Sequence, residues 1–284
     1  MLEIPNLARS QDVKRRPQKL ITAHTAKFHL GHTYSDAYED AYAHNLNRVK
    51  PQFNFAEQSL LNTIRPNRDN ARLIRKARFE LSSLSSPDGT AFDSYVSLHL
   101  RRGDRGPAFY HGEYVPVRDF VSAGTDAWQR LNPGKSASSL MFYVATDSST
   151  IQREVVGLTA ARYTTYSLYQ SADPELRGVA SPEEYRQKEF DTLEKTARIR
   201  ATQGMIVDFA LLSGAWANED DALPQATVCT ISSNVCKMAA VGLGWERAFG
   251  VVDSMGYLDD AHKRWVEIDQ KGTVVPVWQP FELF

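Results

Sequence analysis

The chain has 284 residues, 42% of them hydrophobic and 24% charged, with a formal net charge of -1 at pH 7. That composition fits a folded chain of one large or two ordinary domains and excludes a disordered or collagen-like one. A nearly balanced charge gives no global pull toward nucleic acid, and no run approaches the roughly 20 apolar residues of a membrane span, so neither is expected.

Residues 1–92 read as mostly helical and irregular, the tail end of a domain rather than a whole one. In 35–50, Tyr38, Tyr42, Leu46 and Val49 recur at helical spacing, and Pro51 is expected to stop that helix. A second helix is expected over 67–84, with Leu73, Ile74, Ala77, Leu81 and Leu84 on its apolar side and the basic residues opposite. A better organised domain is expected over 93–284. Its first strand, 95–100, runs directly into Arg101, Arg102, Gly103, Asp104 and Arg105. A helix follows over 116–131, closed by Asn132, Pro133 and Gly134. The unbroken apolar run 140–145 predicts a strand covered on both faces, and the turn Thr146-Asp147-Ser148-Ser149 caps the next helix. The polar stretch 165–190, with Pro174 and Pro182, reads as a long loop. Helical spacing resumes over 190–212, where Asp208 sits among Met205, Ile206, Phe209 and Ala210 and needs a hydrogen-bond partner if buried. A short strand, 227–231, the turn Ser232-Ser233-Asn234 and a helix over 235–243 follow, and Trp265, Val274, Val275, Val277 and Trp278 supply a closing element. Strand, polar turn and helix make the unit of a doubly wound α/β sheet.

Three of these turns, 101–105, 146–149 and 230–234, put polar residues at the carboxyl end of an expected inner strand, where open sheets bind their ligands. Adjacent strand residues face opposite ways, so one of Arg101 and Arg102 can reach a ligand while the other packs or pairs with Asp104. The third turn joins serine hydroxyls to a helix N-terminus, which suits a phosphate oxygen. An arginine fork across the crevice would complete a diphosphate site and stabilise a departing diphosphate. The P-loop, the glycine-rich dinucleotide fingerprint, the zinc-protease helix and the nucleophile elbow are all absent, as is any pair of aspartates one residue apart. His24, His29, His32 and His44 lack acidic or cysteine ligands at usable spacing, so no metal is expected. Cys229 and Cys236 are not spaced for zinc or redox catalysis; a buried free pair and a local disulfide both fit.

His99-Leu100-Arg101-Arg102-Gly103-Asp104-Arg105, Ala145-Thr146-Asp147, Gly204-Met205-Ile206-Val207-Asp208 and Val228-Cys229-Thr230-Ile231-Ser232-Ser233-Asn234-Val235-Cys236-Lys237 resemble, in order, the successive motifs of the alpha-1,6-fucosyltransferases. The wider similarity is to GDP-fucose-dependent fucosyltransferases, including the protein O-fucosyltransferases, and it extends over roughly 61–243. The resemblance implies an α/β, GT-B-like glycosyltransferase with a Rossmann-like nucleotide-sugar-binding domain and a short, mostly helical N-terminal part. It implies inverting, metal-independent transfer of fucose from GDP-fucose to a glycan or glycoprotein acceptor, with no cofactor beyond the donor. By the same resemblance, His99 and Asp208 contact the guanine and Arg101 the β-phosphate. Ser232 and Ser233 take the diphosphate and nucleoside side, Asp147 supports the pocket, and Arg102 joins the substrate-binding set. Cys229 and Cys236 are bonded in that family, which implies an oxidising, secretory compartment such as the Golgi.

The sequence departs from the family where the general base should be. The segment from Gly106 to Tyr114 is slightly longer than the family's, Glu113 is the nearest carboxylate and Asp104 stands behind it, so the catalytic set reads Arg101, Glu113 and Asp104. Arg105 replaces a lysine, keeping the charge but not the geometry. The short acceptor-side region keeps a second reading open, a catalytically inactive nucleotide-sugar-binding or scaffold domain of the same fold.

Overall fold

The computed structural model describes residues 45–84, 89, 92, 94–103, 106, 113–181, 184–230 and 233–269. Five strands, β1 (Ser94–Leu100), β2 (Met141–Thr146), β3 (Thr164–Tyr166), β4 (Leu223–Cys229) and β5 (Trp265–Glu267), form one sheet in the order β3-β2-β1-β4-β5. Every neighbouring pair is parallel. Around the sheet lie α1 (Lys50–Gln58), α2 (Arg68–Ser82), α3 (Val117–Leu131), α4 (Ser149–Thr159), α5 (Pro174–Val179), α6 (Gln187–Thr192), α7 (Lys195–Ser213), α8 (Asn234–Leu243) and α9 (Trp245–Phe249). The result is an α/β fold whose parallel sheet and strand order are compatible with a Rossmann-like domain.

Alternation along β1 divides the core. Val96, Leu98 and Leu100 join Phe142, Val144, Phe120 and Trp128 on the α3 and α4 side, whereas Tyr95 joins Met141, Tyr143, Leu211 and the α2 residues Leu73, Ile74, Ala77 and Leu81 on the other. A third cluster places Phe53 of α1 with Trp245, Phe249 and Trp265 beneath α8. The described part of 45–84 therefore shares its apolar core with the sheet. Helix α2 starts where its sequence says it should, with the Asn67 side chain accepting from the Asn70 amide.

Several expectations are corrected. Pro51 does not end a helix: it lies in the first turn of α1, where no intrahelical amide is needed; residues 35–44 fall outside the described residues. The stretch 165–190 is no long loop, because β3, α5 and most of α6 lie within it and Pro174 starts α5 on the Asp173 cap. Strand β4 begins four residues earlier than expected, since Pro224 occupies its first turn of pairing, where a register shift against β1 between Tyr95 and Val96 tolerates a missing amide. Arg78 is buried at 2% exposure with the apolar side of α2. Of the closing element, Trp265 is buried in β5, and the residues from 274 on fall outside the described residues.

Candidate functional site

Strand order reverses between β1 and β4, so the carboxyl ends of these two strands flank the crevice in which a doubly wound sheet binds ligands. His99, near the end of β1, closes that crevice from one side: its Nε2 lies 3.0 Å from Oγ of Ser233, the N-cap residue of α8 on the other side. The Ser233 hydroxyl is thereby spent on His99 and makes no side-chain cap to α8, leaving the helix N-terminal amides without that acceptor. Burial, then the charge of Arg101, lowers the His99 pKa to about 4, so the imidazole is neutral at physiological pH.

Arg101 follows β1 and is half-buried. Its charge also acts on Asp147, which stands just after β2. Asp147 Oδ1 accepts the Arg102 amide at 2.8 Å; burial raises its pKa, against the Arg102 amide and the Arg101 charge. Arg102 itself is only 7% exposed. Its guanidinium donates to the Val115 carbonyl and lies 4.5 Å from the centre of the Tyr114 ring, so this side chain, expected at the substrate, fastens the 114–115 segment to the turn. Gly103 completes the turn by close approach. A Cβ there would lie 2.0 Å from the Tyr185 carbonyl oxygen and 2.7 Å from Asp147 Oδ2, and the Tyr185 amide donates to the Asp147 carbonyl at 3.0 Å.

Asp208 projects from α7 toward the sheet, where Oδ1 accepts the hydroxyl of Tyr143 on β2. Burial raises its pKa to about 7, with the Tyr143 hydrogen bond opposing. Burial, with smaller effects of the Asp208 and Asp147 charges, raises the pKa of Tyr169 in the 168–170 turn after β3. Tyr143 and Tyr169 were not singled out from the sequence; an isolated tyrosine in a strand or turn carries no signal of its own. Among the described residues, the buried Thr230 Oγ1 has no hydrogen-bond partner; His99 Nδ1 and Asp147 Oδ2 make no bond of normal geometry there, although the Ala145 and Gly103 backbones act on these two side chains, and weakly satisfied buried atoms are costly.

The turn that carries Ser233 is tied at both ends. Cys229 of β4 and Cys236 of α8 form a disulfide with a Cα separation of 5.5 Å, and Trp265 Nε1 donates to the Cys236 carbonyl at 3.0 Å. Ser232 and Asp104 lie outside the described residues. Glu113 is exposed at the start of the 113–116 segment. Among the described residues, no group of three His, Cys, Asp or Glu side chains converges as a metal site, and no helix is long and apolar enough to cross a membrane. A scan of protein-family models finds none that matches this chain, and a search of curated proteins finds none with significant similarity.

Proposed function

We propose that the crevice between β1 and β4 binds GDP-fucose and that the chain is a GT-B-like fucosyltransferase acting on a glycan or glycoprotein acceptor. The observation that carries this reading is the contact between His99 and Ser233 across the crevice, beside a buried Thr230 hydroxyl that has no hydrogen-bond partner among the described residues. A nucleoside diphosphate supplies what such a place lacks: anionic oxygens for helix amides and a cation, and base nitrogens for an imidazole and a carboxylate.

In this reading, Arg101 and the N-terminal amides of α8 grip the diphosphate, while His99 and Asp208 meet the guanine. Asp147 and Gly103 fix the turn that aims Arg101. The acceptor hydroxyl oxygen forms a bond to fucose C1 as the bond from C1 to the β-phosphate oxygen breaks; the hydroxyl proton passes to the Glu113 carboxylate. Arg101 offsets the charge that grows on the departing GDP. The disulfide suits a secretory setting such as the Golgi. The exposed position of Glu113 favours a second reading, a domain of the same fold that binds the nucleotide sugar without turning it over.

Calorimetric titration with GDP and GDP-fucose tests the site. Arg101→Ala is expected to weaken GDP about 10- to 100-fold, the scale of lost charge-assisted hydrogen bonds. A wild-type protein with no affinity for GDP removes the nucleotide reading; unchanged binding in the variant removes the role of Arg101. GDP release from GDP-fucose with a panel of glycan acceptors separates the two readings, since the inactive domain binds and does not turn over.

A further inference from the structure

We infer that Tyr143 is a positioning residue for base selection: from inside the sheet it holds one oxygen of Asp208, so that the other oxygen faces the bound base as an acceptor. This rests on the nucleotide reading above. Tyr143 is fully buried in β2, and its ring is set between those of Tyr95 and Tyr166, with centroids 6.1 and 6.0 Å away. The hydroxyl has a fixed place, and Asp208 Oδ1 accepts from it. Asp208 Oδ2 receives no hydrogen bond from the described residues and is absent from the fully buried, unpartnered atoms, so it keeps access to solvent.

Among the described residues, no cation pairs with Asp208. Tyr143, Tyr166 and Tyr169 act on it electrostatically. Several charged groups of the other elements packed against α7 have partners away from Asp208. On α2, Arg78 donates to the Ala210 and Ala215 carbonyls, and Glu80 accepts from Tyr166 and Ser171. On β1, Tyr95 donates to the Leu211 carbonyl. On α5, Arg177 donates to the Ser171 and Ala172 carbonyls, and Glu175 is paired with Arg72 and Lys76; α8 contributes Lys237. A carboxylate with one oxygen fixed by a phenol and the other open is an acceptor for a ligand with adjacent N–H donors. Guanine offers two on one edge, N1–H and the 2-amino group; hypoxanthine keeps N1–H alone, and adenine presents a bare N1.

The test is the affinity of GDP and IDP between pH 5.5 and 9 for wild type, Tyr143→Phe and Asp208→Asn, with the titration of the Asp208 carboxyl carbon followed by NMR in the first two. Protonated Asp208 is a much weaker acceptor from the base than the carboxylate, so wild-type GDP affinity should rise through pH about 7 and exceed that for IDP. The Tyr143 hydroxyl favours the charged form. Its removal should move the midpoint to higher pH and weaken GDP at pH 7 several-fold, with the loss shrinking by pH 9. Asp208→Asn should flatten the profile and bring the GDP to IDP ratio close to one. If Tyr143→Phe keeps the wild-type midpoint and ratio while GDP still binds, the positioning role is wrong and the nucleotide reading stands. If wild type binds neither nucleotide, both fall. Should Tyr143→Phe fail to fold, a wild-type GDP to IDP ratio in Asp208→Asn overturns the inference on its own.

Discussion

Gly103 shows how little room the crevice leaves. The backbone around Arg101 comes so near the 184–186 segment that a methyl group would meet the Tyr185 carbonyl, a backbone atom that moves only with its whole segment. Gly103→Ala is expected to lower stability by about 1–3 kcal/mol, the usual cost of overpacking, and to weaken GDP as well, because displacement of the turn re-aims Arg101. Urea unfolding measures the first effect and nucleotide titration the second; an Ala variant equal to wild type in both would show that the turn yields. The neighbouring arginines were alike in the sequence and differ in the structure. Arg101 and Arg102 both read as anion ligands, and strand alternation said only that they point apart. Arg102 is fastened to Val115 and Tyr114, a dozen residues away, and no local pattern encodes that pairing.

Among the elements, α2 illustrates how a legible helix can hide its most constrained residue. Its apolar spacing predicted the buried Leu73, Ile74, Ala77 and Leu81, and the structure agrees. Arg78 counted as a solvated basic residue, yet it enters the core to donate to the carbonyls of Ala210 and Ala215 at the end of α7, with Asp221 3.8 Å from its Nε. A cation there satisfies terminal carbonyls and opposes the negative end of the helix dipole. Arg78→Met keeps much of the volume and leaves those acceptors unpaired. It is expected to cost about 2–4 kcal/mol, as broken buried hydrogen-bonded charges do, and chemical denaturation reads it; a loss below 1 kcal/mol would mean that water replaces the guanidinium. Both helix-initiating prolines were misread for one reason. Proline forbids a helix interior but suits a first turn, and distinguishing the two requires knowing where the preceding chain leaves the helix axis.

Taken whole, the molecule carries opposing acid and base titrations in its core. The folded His99 resists a proton that the unfolded chain takes up, so its contribution to stability is intact above pH 6.5 and is lost as pH falls from 6.5 toward about 4. Asp208 has the reverse sign. Folding holds its proton up to about pH 7 while the unfolded group ionises near 3.8, so stability is lost as pH rises through that window. Asp208→Asn removes only the second dependence. The stability of wild type relative to this variant should therefore fall between pH 5 and pH 8, as urea midpoints at the two pH values would show; a difference independent of pH would mean that Asp208 ionises normally. Much of the architecture was in the sequence by itself. The apolar runs defined the central strands, and their polar ends at 101–105, 146–149 and 230–234 marked where those strands stop, because a strand buried on both faces must be continuously apolar and its first exposed turn must be polar. Tertiary structure alone set the strand order, which brings the β1 and β4 turns together, and the partners of individual polar groups: Ser233 for His99, Tyr143 for Asp208, Val115 for Arg102. The physical reason is range. Burial periodicity is a property of neighbours along the chain, whereas a hydrogen bond between residues 65 to 134 positions apart exists only after the sheet has closed the distance.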